Sequence, residues 1–147
     1  MRQKTSKWFE VKVAYDKNTE NGELKRVIEL YAVEAMSFAE AESRITEETA
    51  SYSSGEFMVK TICIPQYAEA WFSDNIADDK FYKAKIQFHT IDEATGKEKV
   101  SNVFYLVQAG NFDTAKKYVE EAMKGSMADC NIAYIKETNI MEVFEKK

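Results

Sequence analysis

The chain has 147 residues, of which 45% are hydrophobic and 13% aromatic, so it contains enough apolar side chain for a packed core and does not resemble a disordered protein. Its formal net charge of −5 disfavours a general nucleic acid coat protein, because such proteins draw most of their affinity from a surplus of Lys and Arg. No apolar run reaches the length of a membrane span, and no signal peptide pattern follows the basic first residues. We therefore expect a soluble, cytoplasmic protein with no membrane partner.

The first elements in chain order are two strands and a helix. Residues 8–15 alternate apolar and polar side chains, as a half-buried strand does, and Asn21-Gly22 is a favoured hairpin pair before a returning strand over residues 24–35. Ser37 and Glu40 fit a capping box, in which the serine caps the helix and the glutamate binds back to the serine amide. These signals predict a β-hairpin followed by a helix.

Two further strands and a junction follow this helix. A third strand is predicted over residues 56–64, where Pro65 ends it or marks an edge, because proline cannot donate a ladder hydrogen bond. A short apolar segment, residues 68–72, closes the first half. The junction, residues 73–80, is polar, acidic and short, which favours two fused halves over two separated ones.

The second half of the chain repeats the first. The segment Trp8–Val13 returns as Phe81–Ile86, and Tyr31–Ala35 returns as Tyr105–Ala109 at nearly the same offset along the chain. Asn111 takes the helix-capping place of Ser37. We predict an α+β fold of two tandem β-β-α-β-β repeats, 7–73 and 80–147, with pseudo-twofold symmetry, mainly antiparallel sheet and one helix per repeat.

The strand faces predict an interaction surface. If alternate residues such as Phe9 and Val11 face the helix, then Trp8 and its counterpart Phe81 lie on the opposite sheet face, where a wet sheet would carry polar residues. Such apolar patches usually mark protein interfaces, so we expect a second core between repeats, a protein partner or self-association through this face. The predicted surface comprises Trp8, Leu30, Phe81, Lys83, Lys85, Phe104 and Leu106.

A second interpretation of the same surface is single-stranded nucleic acid binding. The outward rings of Trp8 and Phe81 can stack on bases, and Lys83 and Lys85 near Phe81 form the chain's only basic-aromatic interleaving. The net negative charge disfavours this alternative but does not exclude a local basic patch. It ranks second to a non-enzymatic binding or assembly module.

The sequence contains no motif for catalysis, a cofactor or a metal. It has no glycine-rich phosphate loop, CxxC pair or HExxH helix, and its one histidine, His89, lacks partners for a triad or a metal site. Cys63 and Cys130 do not occupy equivalent repeat positions, so we expect both to be reduced and buried. We predict no catalytic residue, metal or cofactor; an enzyme, the third alternative, would need a site formed between the repeats.

Several segments resemble a family of uncharacterised proteins from gut Bacteroidetes and the phages that infect them. The resemblance covers almost the whole chain and is carried by Trp8–Val13, Tyr31–Glu42, Ser54–Val59, Met123–Ile132 and Glu137–Met141. Cys130 stands where that family has an aromatic residue. The family has no assigned function, so the resemblance implies source and class rather than mechanism; phage carriage favours a replication, recombination or host-takeover accessory protein.

Overall fold

The computed structural model describes residues 1–53, 55–126 and 128–146, and within them it shows an α+β protein with two helices and mixed, mostly antiparallel sheets. The elements in chain order are β1 (Arg2–Thr5), β2 (Trp8–Asn18), β3 (Leu24–Glu34), α1 (Phe38–Glu48), β4 (Phe57–Cys63), β5 (Glu69–Phe72), β6 (Lys80–Ile91), β7 (Glu98–Ala109), α2 (Phe112–Lys124), β8 (Asp129–Glu137) and β9 (Ile140–Phe144). Neither described helix is long and apolar enough to cross a membrane.

The chain divides into two compact units. The α1 unit comprises Ser6–Gln66 and Asn139–Lys147, and its four-stranded sheet has the order β4-β2-β3-β9. The α2 unit comprises Met1–Thr5 and Tyr67–Thr138, and its five-stranded sheet has the order β1-β5-β7-β6-β8. Each unit therefore packs one helix on one sheet.

The units do not follow the two sequence halves. The short strand β5 pairs in parallel with β7, and β9 pairs in parallel with β3. The last strand of the first half, β5, thus belongs to the sheet formed by the hairpin of the second half. The last strand of the second half, β9, belongs to the sheet formed by the hairpin of the first half. The sequence analysis missed β1, which pairs antiparallel with β5, because its polar residues show no apolar alternation.

Local signals place both helix starts correctly. Ser37 Oγ accepts a hydrogen bond from the Glu40 amide at 3.1 Å, and Asn111 Oδ1 accepts one from the Thr114 amide at 2.8 Å. The capping box differs in one contact, since the Glu40 carboxylate accepts from the Met36 amide at 3.2 Å and not from the predicted Ser37 amide.

The inner strand faces form the core of each unit. In the α1 unit Phe9, Val11 and Val13 are fully buried against Ile45 of the helix, as the alternation predicts. In the α2 unit the corresponding cluster consists of Trp71, Ala84, Ile86, Val107 and Val119. Both units therefore have a face against the helix, and the strand register fixes which side chains lie on the other face.

The two cysteines are free thiols with different surroundings. Cys130 is partly buried, with its Sγ 3.7 Å from Met123 Sδ. Cys63 is exposed, so the prediction of burial is wrong for this residue: it ends β4, an edge strand, shortly before Pro65.

Candidate ligand-binding face of the α2 unit

The seven residues of the predicted surface differ in accessibility. Trp8, Phe81 and Leu106 are 2%, 6% and 1% exposed, so none of these three side chains is open to a ligand. Leu30 is half-buried and lies opposite Lys12 in the α1 unit. The remaining three, Lys83, Lys85 and Phe104, are half-buried neighbours on β6 and β7 of the α2 unit.

Strand register brings two further residues to these three. Lys85 on β6 lies opposite Phe104 on β7 and opposite Tyr134 on β8, while Lys83 lies opposite Lys136. The neighbouring residue Ala84 is fully buried in the core against α2, so by the period of two these five side chains lie on the other sheet face. We call Lys83, Lys85, Phe104, Tyr134 and Lys136 the lysine–aromatic face.

The ammonium groups of this face lie over its aromatic rings. Lys83 Nζ is 5.0 Å from the Phe104 ring centroid, and Lys85 Nζ is 5.8 Å from the centroids of both Phe104 and Tyr134. Lys136 Nζ is 5.5 Å from the Tyr134 centroid. These are cation–π distances, and an aromatic ring orients an ammonium group without neutralising its charge, as for Lys85 and Lys136. Among the described residues, no carboxylate forms an ion pair with Lys85 or Lys136.

A chain of side-chain amides continues the face toward the end of the hairpin. Asn131 Nδ2 donates to Gln87 Oε1, and Gln87 Nε2 donates to Asn102 Oδ1, both at 3.3 Å. His89 anchors this chain, with Nε2 on Asn131 Oδ1 and Nδ1 2.7 Å from Glu98 Oε1. The hydrogen bond to Asn131, followed by the one to Glu98, raises the pKa of His89.

The face combines charge, flat rings and hydrogen-bonding groups in successive rows. Its three central rows, read across β7, β6 and β8, are Leu106-Lys83-Lys136, Phe104-Lys85-Tyr134 and Asn102-Gln87-Asn131, and none contains a carboxylate. This arrangement can attract an anion and stack a planar group. In the part of the chain that the structure describes, no three His, Cys, Asp or Glu side chains converge to ligate a metal ion.

In the α1 unit, the lysine at the corresponding position has no ring opposite it on either neighbouring strand. Lys12, the repeat counterpart of Lys85, lies opposite Leu30 on β3 and Thr61 on β4. Lys12 therefore has the strand position of Lys85 with an aliphatic and a hydroxyl neighbour in place of Phe104 and Tyr134.

Sequence analysis missed Tyr134 and Lys136 as members of the site. Their position depends on which strand β8 pairs with and on a register shift between Lys85 and Ile86. Alternation shows which side of its own strand a residue occupies, but it does not identify the neighbouring strand. Strand parity on β6 and β7 was the available signal, and it located three of the five residues: Lys83, Lys85 and Phe104.

Comparison with known proteins identifies a family without a known activity. A family model described as a domain of unknown function, DUF4494, matches residues 7–146 of the chain. No curated protein and no solved structure matches it.

Proposed function

We propose that this chain, which belongs to the DUF4494 family of unknown function, is a non-enzymatic binding module whose lysine–aromatic face binds single-stranded nucleic acid. The observation that carries the proposal is the row Phe104-Lys85-Tyr134, in which one ammonium group that is not neutralised by any described carboxylate lies near two half-buried rings. Sequence-tolerant binders of single strands combine these groups, because every base can stack and every nucleotide carries a phosphate.

The acidic net charge is compatible with this ligand because the charge is not uniform. Lys83, Lys85 and Lys136 lie on adjacent strands, in rows that hold no acidic side chain. A local positive field of this kind attracts phosphates even on an acidic protein, and salt screens it within about 10 Å at 0.1 M ionic strength. We therefore expect modest affinity with a clear dependence on salt.

The test is fluorescence anisotropy of a labelled oligo(dT) of about 12 nucleotides, a length within the site sizes of single-strand binders. Two phosphates neutralised by Lys85 and Lys136 predict a slope of about −1.4 for log K against log salt, at about −0.7 per phosphate. Lys85→Ala should reduce this slope by about 0.7. Tyr134→Ala should weaken binding by about 1–3 kcal/mol through lost stacking.

Lys12→Ala is the matched control, because Lys12 has the same strand position in the α1 unit with no ring opposite it on either neighbouring strand. It should leave the affinity and the salt slope unchanged. The proposal fails if the wild-type protein does not bind at low salt, or if Lys12→Ala weakens binding as much as Lys85→Ala.

A protein partner is the second candidate, and the outer side of β3 favours it. Leu24 and Ile28 are 60% and 61% exposed and lie on the same side of this strand as the half-buried Leu30, with Arg26 between them. Exposed apolar side chains are typical of protein contacts. If the chain self-associates here, analytical ultracentrifugation will show a dimer that Ile28→Glu converts to a monomer; a wild-type monomer at high concentration contradicts self-association.

We also infer a tandem duplication, with the repeats 7–73 and 80–147 descending from one β-β-α-β-β unit. The shared element order, the nearly constant sequence offset and the equivalent register shifts after Lys12 and Lys85 support it. A cytoplasmic location, an origin in gut Bacteroidetes or their phages, and a pseudo-twofold relation between the repeats remain predictions.

A further inference from the structure

We propose that the α1 unit contains a binding site for an organic ammonium group in a cleft formed around the Glu29 carboxylate. The cleft has a volume of about 290 Å³ and is lined by Tyr15, Lys17, Glu29, Tyr31, Tyr52 and Met141. We call it the tyrosine cleft. This inference does not depend on nucleic acid binding, since no residue of the cleft belongs to the lysine–aromatic face.

The carboxylate of Glu29 is held by two tyrosines and keeps one oxygen for a ligand. Tyr15 and Tyr31 both donate their hydroxyl groups to Glu29 Oε1, the Tyr31 contact measuring 3.0 Å. Among the described residues Glu29 Oε2 accepts no hydrogen bond. Burial, followed by the Glu29 hydrogen bond, raises the pKa of Tyr15 to about 12, so this hydroxyl stays a donor at neutral pH.

Aromatic faces complete the cleft. The Tyr52 ring, in a residue that is 39% exposed, lies 6.4 Å from the Tyr31 ring at an angle of 43°. Two tilted rings beside a carboxylate form the arrangement that recognises ammonium and methylated ammonium groups, because the ring faces and the carboxylate all attract positive charge. The volume lies at the lower limit of ligand pockets, which suits a small amine or one side chain.

The charges around the cleft favour a cation. Glu142 extends the negative field, and its carboxylate lies 3.5 Å from the Tyr52 hydroxyl. Lys17 is the one cation of the lining; it is exposed and makes no ion pair within the described residues, so it does not neutralise Glu29. A ligand ammonium would supply the missing positive charge at Glu29 Oε2.

The scaffold does not require this polar cluster. In the α2 unit the inner-face position of Glu29 is occupied by Val103: Glu29 lies opposite Val13, and Val103 lies opposite Ile86, the repeat counterpart of Val13. The position of Tyr15 is occupied by Phe88, while Tyr105 retains the ring of Tyr31. One unit thus folds with an apolar group where the other has a carboxylate, which argues for a role of Glu29 beyond packing.

The test is a titration of the full chain followed by amide NMR spectra, with choline as the cation and 3,3-dimethyl-1-butanol as its uncharged isostere. We expect saturable shifts at residues of the tyrosine cleft with choline and none with the alcohol. A short peptide carrying trimethyllysine distinguishes the two sources of this chemistry, a free amine or a protein side chain. Equal shifts with choline and the alcohol, or no saturable shift with either cation, overturn the proposal.

Three variants and one control test the assignment of residues. Glu29→Gln removes the charge but keeps an acceptor for both tyrosines, so the fold should persist while choline binding weakens at least about tenfold, as for a lost charged partner. Tyr52→Ala should weaken binding, whereas Tyr52→Phe, which keeps the ring, should not. Glu93→Gln, at an exposed carboxylate in the turn between β6 and β7 of the α2 unit, is the control. Undiminished binding by Glu29→Gln contradicts the site.

Discussion

In the turn between β5 and β6, Asp78 is 4% exposed and its carboxylate accepts three hydrogen bonds. The donors are the Gly110 amide at 2.7 Å, the Tyr118 hydroxyl at 2.6 Å and the Ser73 hydroxyl. Gly110 must be small here, because a Cβ would lie 2.7 Å from the Ala77 carbonyl oxygen. This turn is the segment that the sequence presents as a polar junction, and one buried carboxylate fixes it to α2 and to the end of β7.

Asp78→Asn tests this network through its pH dependence. In this variant an NH₂ group would replace one carboxylate oxygen, so two hydrogen-bond donors would face each other where Asp78 now accepts. We expect a loss of about 1–3 kcal/mol in the free energy of unfolding at neutral pH. Burial raises the pKa of Asp78, but the hydrogen bonds from Ser73, Tyr118 and Gly110 outweigh it, so its pKa lies below the usual value. The ionised carboxylate therefore stabilises the fold above the unfolded pKa of about 3.9 and loses this effect as pH falls through the native pKa.

Urea unfolding across pH 2–7 measures the effect. The difference in stability between wild type and Asp78→Asn should be largest at neutral pH and shrink below about pH 4. Asp79→Asn, an adjacent and exposed aspartate, is the control and should change little. A difference that stays constant down to pH 2 would show that Asp78 ionisation does not stabilise the turn.

At the scale of elements, the α1 side chain Arg44 binds backbone at the ends of β3 and β9. Arg44 donates to the Glu34 carbonyl oxygen at the end of β3, to the Phe144 carbonyl oxygen at 3.4 Å and to the Glu145 carbonyl oxygen at 2.9 Å. Tyr118, its repeat counterpart on α2, instead donates to Asp78. The same helix position therefore binds the end of β9 in the α1 unit and the turn between β5 and β6 in the α2 unit.

Arg44→Met should release β9 while keeping the apolar stem of the side chain. We expect a loss of about 1.5–3 kcal/mol, typical of hydrogen bonds from a charged group, together with faster amide exchange in residues 140–144. Hydrogen exchange with mass spectrometry measures both units at once, so β6 and β7 serve as an internal reference. Lys116→Met, at an exposed position of α2, is the matched control. Unchanged exchange in β9 would contradict the role of Arg44.

Elements also show what could be predicted from sequence and what could not. The hairpins and helix starts follow from local signals, such as Asn21-Gly22 and the caps Ser37 and Asn111, because a turn or a cap is decided within a few residues. The pairing of β5 with β7 and of β9 with β3 was not predicted. Alternation shows which side chains share one face of a strand, but it does not show which strand lies beside it. The site shows the same limit: Lys83, Lys85 and Phe104 follow from parity, but Tyr134 depends on a long-range register.

At the scale of the whole molecule, neither sequence half contains a complete unit. A chain ending at Ile76, which is 98% exposed, would lack β9, and the remainder of the chain would lack β1 and β5. The missing strands contribute buried side chains. In β9, Ile140 and Phe144 are 5% and 8% exposed, and Phe144 stacks on Tyr31 at 5.5 Å. Burying two such side chains contributes about 3–6 kcal/mol, a large part of the usual stability of a domain.

We therefore expect that fragments 1–76 and 77–147 fold together and not alone. Co-expressed with a tag on one fragment, they should co-purify under native conditions and give amide NMR spectra close to that of the intact chain. Fragment 77–138, which lacks β9, is the matched control: with 1–76 it can complete the α2 sheet but not the α1 sheet, so the amide resonances of residues 8–63 should lose their native dispersion. Separate purification of both fragments in folded form would show that each half completes its own core, and would contradict the strand exchange between them.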